Sequence, residues 1–257
     1  MCYFTRVFGL ILLGLWLATS SAAPISATPQ DTYEYQLKNG MRVIFRRDTR
    51  SPTVAQMVWY RAGSIDEFNG TTGVAHALEH MMFKGTKTVK PGDFSRQVAA
   101  LGGQENAFTS NDYTAYFQQV GKSHLPTIMR LEADRMTNLL LSKTEFDKEI
   151  QVVMEERRLR TEDQASALLY EQLLATAFVT SPRRVQPIGW MDDLKAMNYL
   201  DVQQWYQRWY APNNAVLVIA GDAQPEQVYA LAEKYFGGIA ARNGIRLSGG
   251  GAILFFL

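Results

Sequence analysis

The apolar positions of the chain change period several times, and each change marks an element. Tyr33-Glu-Tyr-Gln-Leu37 alternates, Lys38-Asn39-Gly40 breaks the pattern, and Met41-Arg-Val-Ile-Phe45 resumes it. An Asn-Gly pair between two such runs predicts a β-hairpin. Val54–Tyr60 predicts a third strand, Gln104–Ser110 and Asp112–Val120 two more, and the apolar run Ala215–Ala220 a buried sixth. Between them the spacing becomes helical. The stretch from Gly73 predicts a helix ending near Lys84-Gly85, with Gly85 as the stop and Lys84 suited to the dipole. Pro91 opens another, closed by Gly102-Gly103. Ser123 can cap a helix to about Leu141, and Ser142 or Thr144 the next, to about Arg160. Asp163–Phe178, Tyr199–Trp209 and Pro225–Phe236 complete the set. Strands in hairpin-like runs, interleaved with helices, predict an α+β fold. The sheet is expected to be mostly antiparallel, with about six strands and helices packed on one face.

Composition narrows the picture. The chain has 257 residues, a net charge of +1 and 47% hydrophobic residues, enough for one large domain or two small ones. So balanced a charge argues against a nucleic-acid partner. Residues 1–22 read as an export signal: Arg6, then the uncharged run Val7–Ala18, then small residues with Ser20 and Ala22 at the cleavage positions. The run is short for a span, so no stable membrane span is expected once the signal is removed. The single cysteine, Cys2, lies in that segment. Its removal leaves no thiol for a nucleophile, a metal or a disulfide, which fits export to a bacterial periplasm. Residues 23–30 are expected to be an exposed spacer and 31–244 the folded domain. The tail 245–257 ends in the apolar Ala252–Leu257, with no element to extend, and is expected to come from truncation or a frameshift.

The candidate chemistry sits in Gly73-Val-Ala-His76-Ala-Leu-Glu79-His80-Met-Met-Phe83. Two of the three histidines lie here, four residues apart, on one face of a helix. Such a pair suits a divalent transition metal, most often zinc. Glu79 projects beside them, where it can act as a general base without ligating. The order His-x-x-Glu-His reverses the commoner metalloprotease helix. A catalytic zinc needs a third protein ligand. The helix after Ser142 offers Glu145, Glu149, Glu155 and Glu156, of which Glu149 and Glu156 share a face. Those acids could equally pair with Arg157, Arg158 and Arg160 on a solvated face.

With Glu156 following His80 by 76 residues, in Val152-Val-Met-Glu-Glu156-Arg-Arg-Leu-Arg160, the sequence resembles the pitrilysin and mitochondrial processing peptidase family of zinc metallopeptidases. Leu78–Thr86, Gly102-Gly-Gln-Glu-Asn106-Ala-Phe-Thr109, Gly189-Trp190 and Tyr210-Ala-Pro-Asn-Asn214 carry the similarity across residues 31–240. The resemblance implies one zinc per chain, held by His76, His80 and Glu156, with Glu155 as the competing register. It implies that Glu79 is the base and that Glu149 supports the site. It further implies that Gln104–Thr109 pairs with an extended peptide or unfolded polypeptide through Asn106, Ala107 and Phe108. Members of the family have two homologous halves, so a homologous second domain or subunit is an expected partner. An inactive zinc-binding half and a scaffold without the site are the rival readings. His124, Arg183 and Arg184 are read as non-catalytic. Trp205, Tyr206, Trp209 and Tyr210 are read as core.

Overall fold

The computed structural model describes residues 31–243. The expected export segment 1–22, the spacer 23–30 and the tail 245–257 lie outside the described residues.

β1 (Thr32–Gln36) and β2 (Arg42–Arg47) form the expected hairpin, and Gly40 takes the left-handed φ of 89° that its turn needs. β3 (Thr53–Tyr60), β4 (Gln104–Thr109), β5 (Thr114–Gly121) and β6 (Ala215–Gly221) complete one six-stranded sheet, ordered β1-β2-β6-β3-β5-β4. Every pairing is antiparallel except β2 with β6. The last strand in sequence thus enters the middle of the sheet, which is why Ala215–Ala220 is apolar at every position rather than alternating. The fold class is the expected one.

The helices are α1 (Val74–Met81), α2 (Asp93–Ala100), α3 (Leu125–Asn138), α4 (Lys143–Arg157), α5 (Ala165–Ala177), α6 (Met191–Ala196), α7 (Tyr199–Trp209) and α8 (Pro225–Phe236). Along β3, Val54, Gln56, Val58 and Tyr60 are buried, while Thr53, Ala55, Met57 and Trp59 are half-buried. α1, α3 and α8 pack on the sheet, and the core gathers Leu78, Ile128, Trp205, Leu217 and Val228. The row opposite carries the aromatic contacts of Phe108 with Trp59, Tyr113 and Phe117. Among the described residues no helix is long and apolar enough to cross a membrane.

Several boundaries differ from expectation, for local reasons. α1 ends at Met81, not near Lys84-Gly85. The N–H groups of Phe83 and Lys84 bond three residues back, to His80 and Met81, which tightens the chain into a turn. Gly85 then turns it, at φ 100°, into the bridge of Thr86 with Leu139. The same bridge stops α3 at Asn138, short of Leu141. α2 begins at Asp93, because Gly92 takes a left-handed φ of 76° after Pro91. α6 has only six residues, too few for a helical period to show. α4 starts where Ser142 predicts: its side chain accepts the Glu145 N–H at 3.2 Å. Ser142→Ala should cost about 1 kcal/mol and lower the melting temperature by roughly 2–4 °C. A thermal melt by circular dichroism checks this, and an unchanged midpoint would refute it.

Candidate metal centre

α1 packs against α4, and the two helices bring the predicted residues together. α4 buries Phe146, Ile150, Val153 and Met154, and this holds Glu149 and Glu156 on the side facing α1. Nε2 of His76 lies 3.8 Å from Glu156 Oε1, and Nε2 of His80 lies 3.3 Å from Glu156 Oε2. One ligand atom from each of His76, His80 and Glu156 lies within 4.8 Å of the others. Two ligands about 2.0–2.1 Å from a tetrahedral ion stand roughly 3.4 Å apart, so the donor set and its spacing fit zinc. Nδ1 of His80 donates to Glu149 Oε1 at 3.0 Å. That bond fixes the ring so that Nε2 faces Glu156, the usual role of a carboxylate behind a metal-binding histidine. Lys84 Nζ holds the other Glu149 oxygen at 2.5 Å. Glu155 turns outward to Arg158, at 2.6 Å, so the register that converges is the one with Glu156.

The electrostatics follow from burial and pairing. Burial, aided by the charge on His80, pushes His76 down to about 4. Burial pulls His80 down too, but its bonds to Glu149 and Glu156 outweigh this and raise it to about 9. Glu156 is held below the usual carboxylate range by its bond to His80. Burial pushes Glu149 up, and the bonds to His80 and Lys84 overcome it to leave a lowered pKa. Burial raises Glu79, partly offset by a bond from Thr109. The two carboxylates thus approach His80 from opposite sides, Glu149 at Nδ1 and Glu156 at Nε2, and the second side is the one a metal ion would share.

Some residues at the site went unnoticed in the sequence. Thr109 Oγ1 donates to Glu79 Oε2 at 2.5 Å, which ties the end of β4 to α1. Glu67 accepts the N–H groups of Gly73 and Ala75 at 2.8 and 2.9 Å, and so caps α1 from a distance. Burial pushes Glu67 up to about 8, against the pull of those two bonds. An acid ahead of a helix that starts without a capping side chain was the available signal.

Among the described residues β4 is an edge strand, paired only with β5. Thr109 and Ala107 share its metal-side face, while Asn106 and Phe108 face the other way. The Asn106 side chain is exposed and takes the Ala107 N–H at 2.8 Å. Phe108 is half-buried among Trp59, Tyr113 and Phe117. His124 is half-exposed at the start of α3, and Arg183 pairs with Asp112 at 2.8 Å. Trp205, Tyr206, Trp209 and Tyr210 are buried, as expected of core residues.

The insulinase pattern (peptidase family M16) matches residues 42–185, and the pattern described as the M16 inactive domain matches residues 196–253. The zinc protease PqqE of Helicobacter pylori is 38% identical over 201 residues, covering 78% of this chain and 45% of that protein. The bovine mitochondrial cytochrome b-c1 complex subunit 1 is 29% identical, covering 86% of this chain and 46% of that one. The chain therefore spans about half the length of the curated relatives it matches. The crystal structure of a protease from Helicobacter pylori superposes with a TM-score of 0.81 at 35% identity, covering 84% of this chain and 52% of that one. The periplasmic protease PqqL of Escherichia coli gives 0.76 at 27% identity, covering 84% and 25%. With a family pattern over more than half its length and the two histidines set against Glu156, the chain belongs to the insulinase family of peptidases, family M16.

Proposed function

We propose that the chain is a zinc-dependent endopeptidase domain that hydrolyses peptides or unfolded polypeptides after export. The observation that supports it most is the meeting of His76, His80 and Glu156, from two helices far apart in sequence, with Glu79 beside them. His76, His80 and Glu156 hold one zinc. When bound, the ion lowers the pKa of a water toward about 7 and polarises a carbonyl. Glu79 takes the proton from the attacking water and passes it to the leaving amine. Thr109 holds the Glu79 carboxylate in place, and Glu149 orients His80. The free edge of β4 pairs with an extended peptide, guided by Asn106, Ala107 and Phe108, once Asn106 releases the Ala107 N–H. Export through residues 1–22 accords with the periplasmic description of the Escherichia coli protease.

A second reading has its own support. The chain matches about half of its relatives' length, and Leu169, Tyr170 and Leu173 of α5 are exposed. Under this reading the metal is held here, and a homologous second domain or chain completes the enzyme. Hydrolysis of an unfolded polypeptide by the zinc-loaded chain, with and without chelator, tests the first reading. Chelator-sensitive cleavage by the chain alone supports it. Cleavage only on adding a homologous domain supports the second, and a chain that takes up no zinc defeats both.

Glu149 carries its own prediction. Glu149→Gln keeps the shape but weakens the grip on His80 Nδ1, so zinc affinity should fall by roughly 10–100-fold. Competition with a chromophoric chelator measures this. Unchanged affinity would remove Glu149 from the site.

A further inference from the structure

The fold contains a brace between the two metal-bearing helices that neither the base nor the ligands account for. Arg157, next to Glu156 on α4, is buried. Its Nη1 and Nη2 donate to Glu171 Oε1 and Oε2 of α5 at 2.8 and 3.0 Å. Nη1 also donates to the backbone carbonyl of Gly189 at 2.7 Å, and the guanidinium lies 5.9 Å from the Trp190 ring. Gly189 in turn presses on the start of α1. A Cβ there would stand 2.4 Å from the Thr72 carbonyl oxygen and 2.6 Å from Gly73 N, at a φ of 78°. A Cβ on Gly73 would meet the Ile188 carbonyl oxygen at 2.7 Å. The next residues lock the contact from the other side. Asp193 Oδ2 accepts Thr72 Oγ1 at 2.5 Å and the N–H groups of Gly70 and Thr72 at 3.2 and 3.1 Å. Trp190 N–H donates to Thr72 Oγ1 at 3.0 Å.

We infer that Ile188–Asp193, pinned to α4 by Arg157, which Glu171 of α5 holds in place, and to α1 by Thr72 and Asp193, sets the distance between the histidine pair and Glu156. Arg157, Glu171, Gly189 and Asp193 are then positioning residues for the metal. The inference rests on the proposed zinc site. The physical reason is the reach of a carboxylate. Glu156 must come within about 2.0–2.2 Å of an ion already held by α1, so a slip of about 1 Å between the helices opens the site. The bidentate pair with Glu171 fixes the guanidinium that holds the Gly189 carbonyl, and a backbone contact with no Cβ between Gly189 and α1 leaves no slack.

The test uses the full chain with zinc and with cobalt, whose absorption reports its coordination. Arg157→Met/Glu171→Met removes the fork and its partner together, so no charge stays buried alone. Asp193→Ala loosens the half-exposed α1 side. Gly189→Ala adds the obstructing Cβ. Metal-free circular dichroism and melting report the fold. The expected result is a folded Asp193→Ala and double variant that bind zinc roughly 10-fold or more weakly, with a cobalt spectrum shifted from wild type. Gly189→Ala should do the same. Wild-type affinity and spectrum in any folded variant of the three would overturn the brace while leaving the zinc site standing. If only the double variant fails to fold, Asp193→Ala and Gly189→Ala decide. A wild-type chain that binds neither metal would overturn the zinc site and the brace with it.

Discussion

Glu79→Gln should bind zinc like the wild type and hydrolyse peptide about 10²–10⁴-fold more slowly. The substitution keeps the length and one carbonyl oxygen, so Thr109 Oγ1 still has its acceptor and the end of β4 stays in place. What it removes is the ability to accept a proton. Burial raises the Glu79 pKa above its ordinary value, and under the proposed mechanism that suits a base which must also give the proton back. The metal should be unaffected, because the converging ligand atoms come from His76, His80 and Glu156. The check is single-turnover cleavage of an unfolded polypeptide, followed by mass spectrometry, with zinc content measured on the same samples. If the chain alone is inert, the same comparison is made with a homologous domain added. A variant that cleaves at the wild-type rate would take Glu79 out of the chemistry. One that loses its zinc would make it a ligand rather than a base.

The site was legible where its geometry is local and obscure where it is not. His76, Glu79 and His80 lie within two helical turns, so their spacing alone puts them together. The seven-residue interval between Glu149 and Glu156 likewise gives a shared face. That this face meets α1 was carried by the resemblance and not by the residues, since nothing local separates a metal-facing acid from a solvated one. The outward pairing of Glu155 with Arg158 shows how close the two alternatives lie. Lys84 was read as a dipole partner, yet its ammonium reaches Glu149 across 65 positions. Thr109, Glu67 and the Arg157–Glu171 pair were illegible for the same reason: each acts on an element remote in sequence. Among the elements, the turn at Gly40, the Pro225 start of α8 and the glycine stops after α2 and α8 were readable from backbone chemistry. The helix ends at Met81 and Asn138 were not: a turn closed by the Phe83 and Lys84 N–H groups sets the first, and the bridge of Thr86 with Leu139 sets the second. The parallel insertion of β6 left only an indirect trace, an apolar run with no exposed side.

Arg135→Met should destabilise the fold by about 3–5 kcal/mol, the largest single loss expected outside the metal site. Arg135 and Glu132 are both fully buried on α3, under the sheet. Arg135 Nε and Nη2 donate to Glu132 Oε1 and Oε2 at 2.9 and 2.7 Å. Gln118 Nε2 donates to Glu132 Oε2 at 3.0 Å, and Gln56 Nε2 to Gln118 Oε1 at 3.0 Å, so the chain of bonds crosses from α3 to β5 and β3. The guanidinium lies 4.4 Å from the Phe94 ring centroid, 4.5 Å from Tyr116 and 5.3 Å from Phe83. Methionine fills much of that volume, so the loss is electrostatic. It leaves the Glu132 carboxylate in a dry core with one neutral donor from a side chain. A domain of this size should then melt roughly 6–20 °C lower. The double variant Arg135→Met/Glu132→Leu removes both charges and should recover most of the loss, because an apolar pair of similar volume does not have to be desolvated. Urea unfolding of the wild type, both single variants and the double variant gives the coupling between the two side chains. A double variant no more stable than Arg135→Met would show that the packing around the guanidinium, and not the stranded carboxylate, holds this part of the core. Phe83 lies in the turn that closes α1, so the same core supports the helix that carries both histidines.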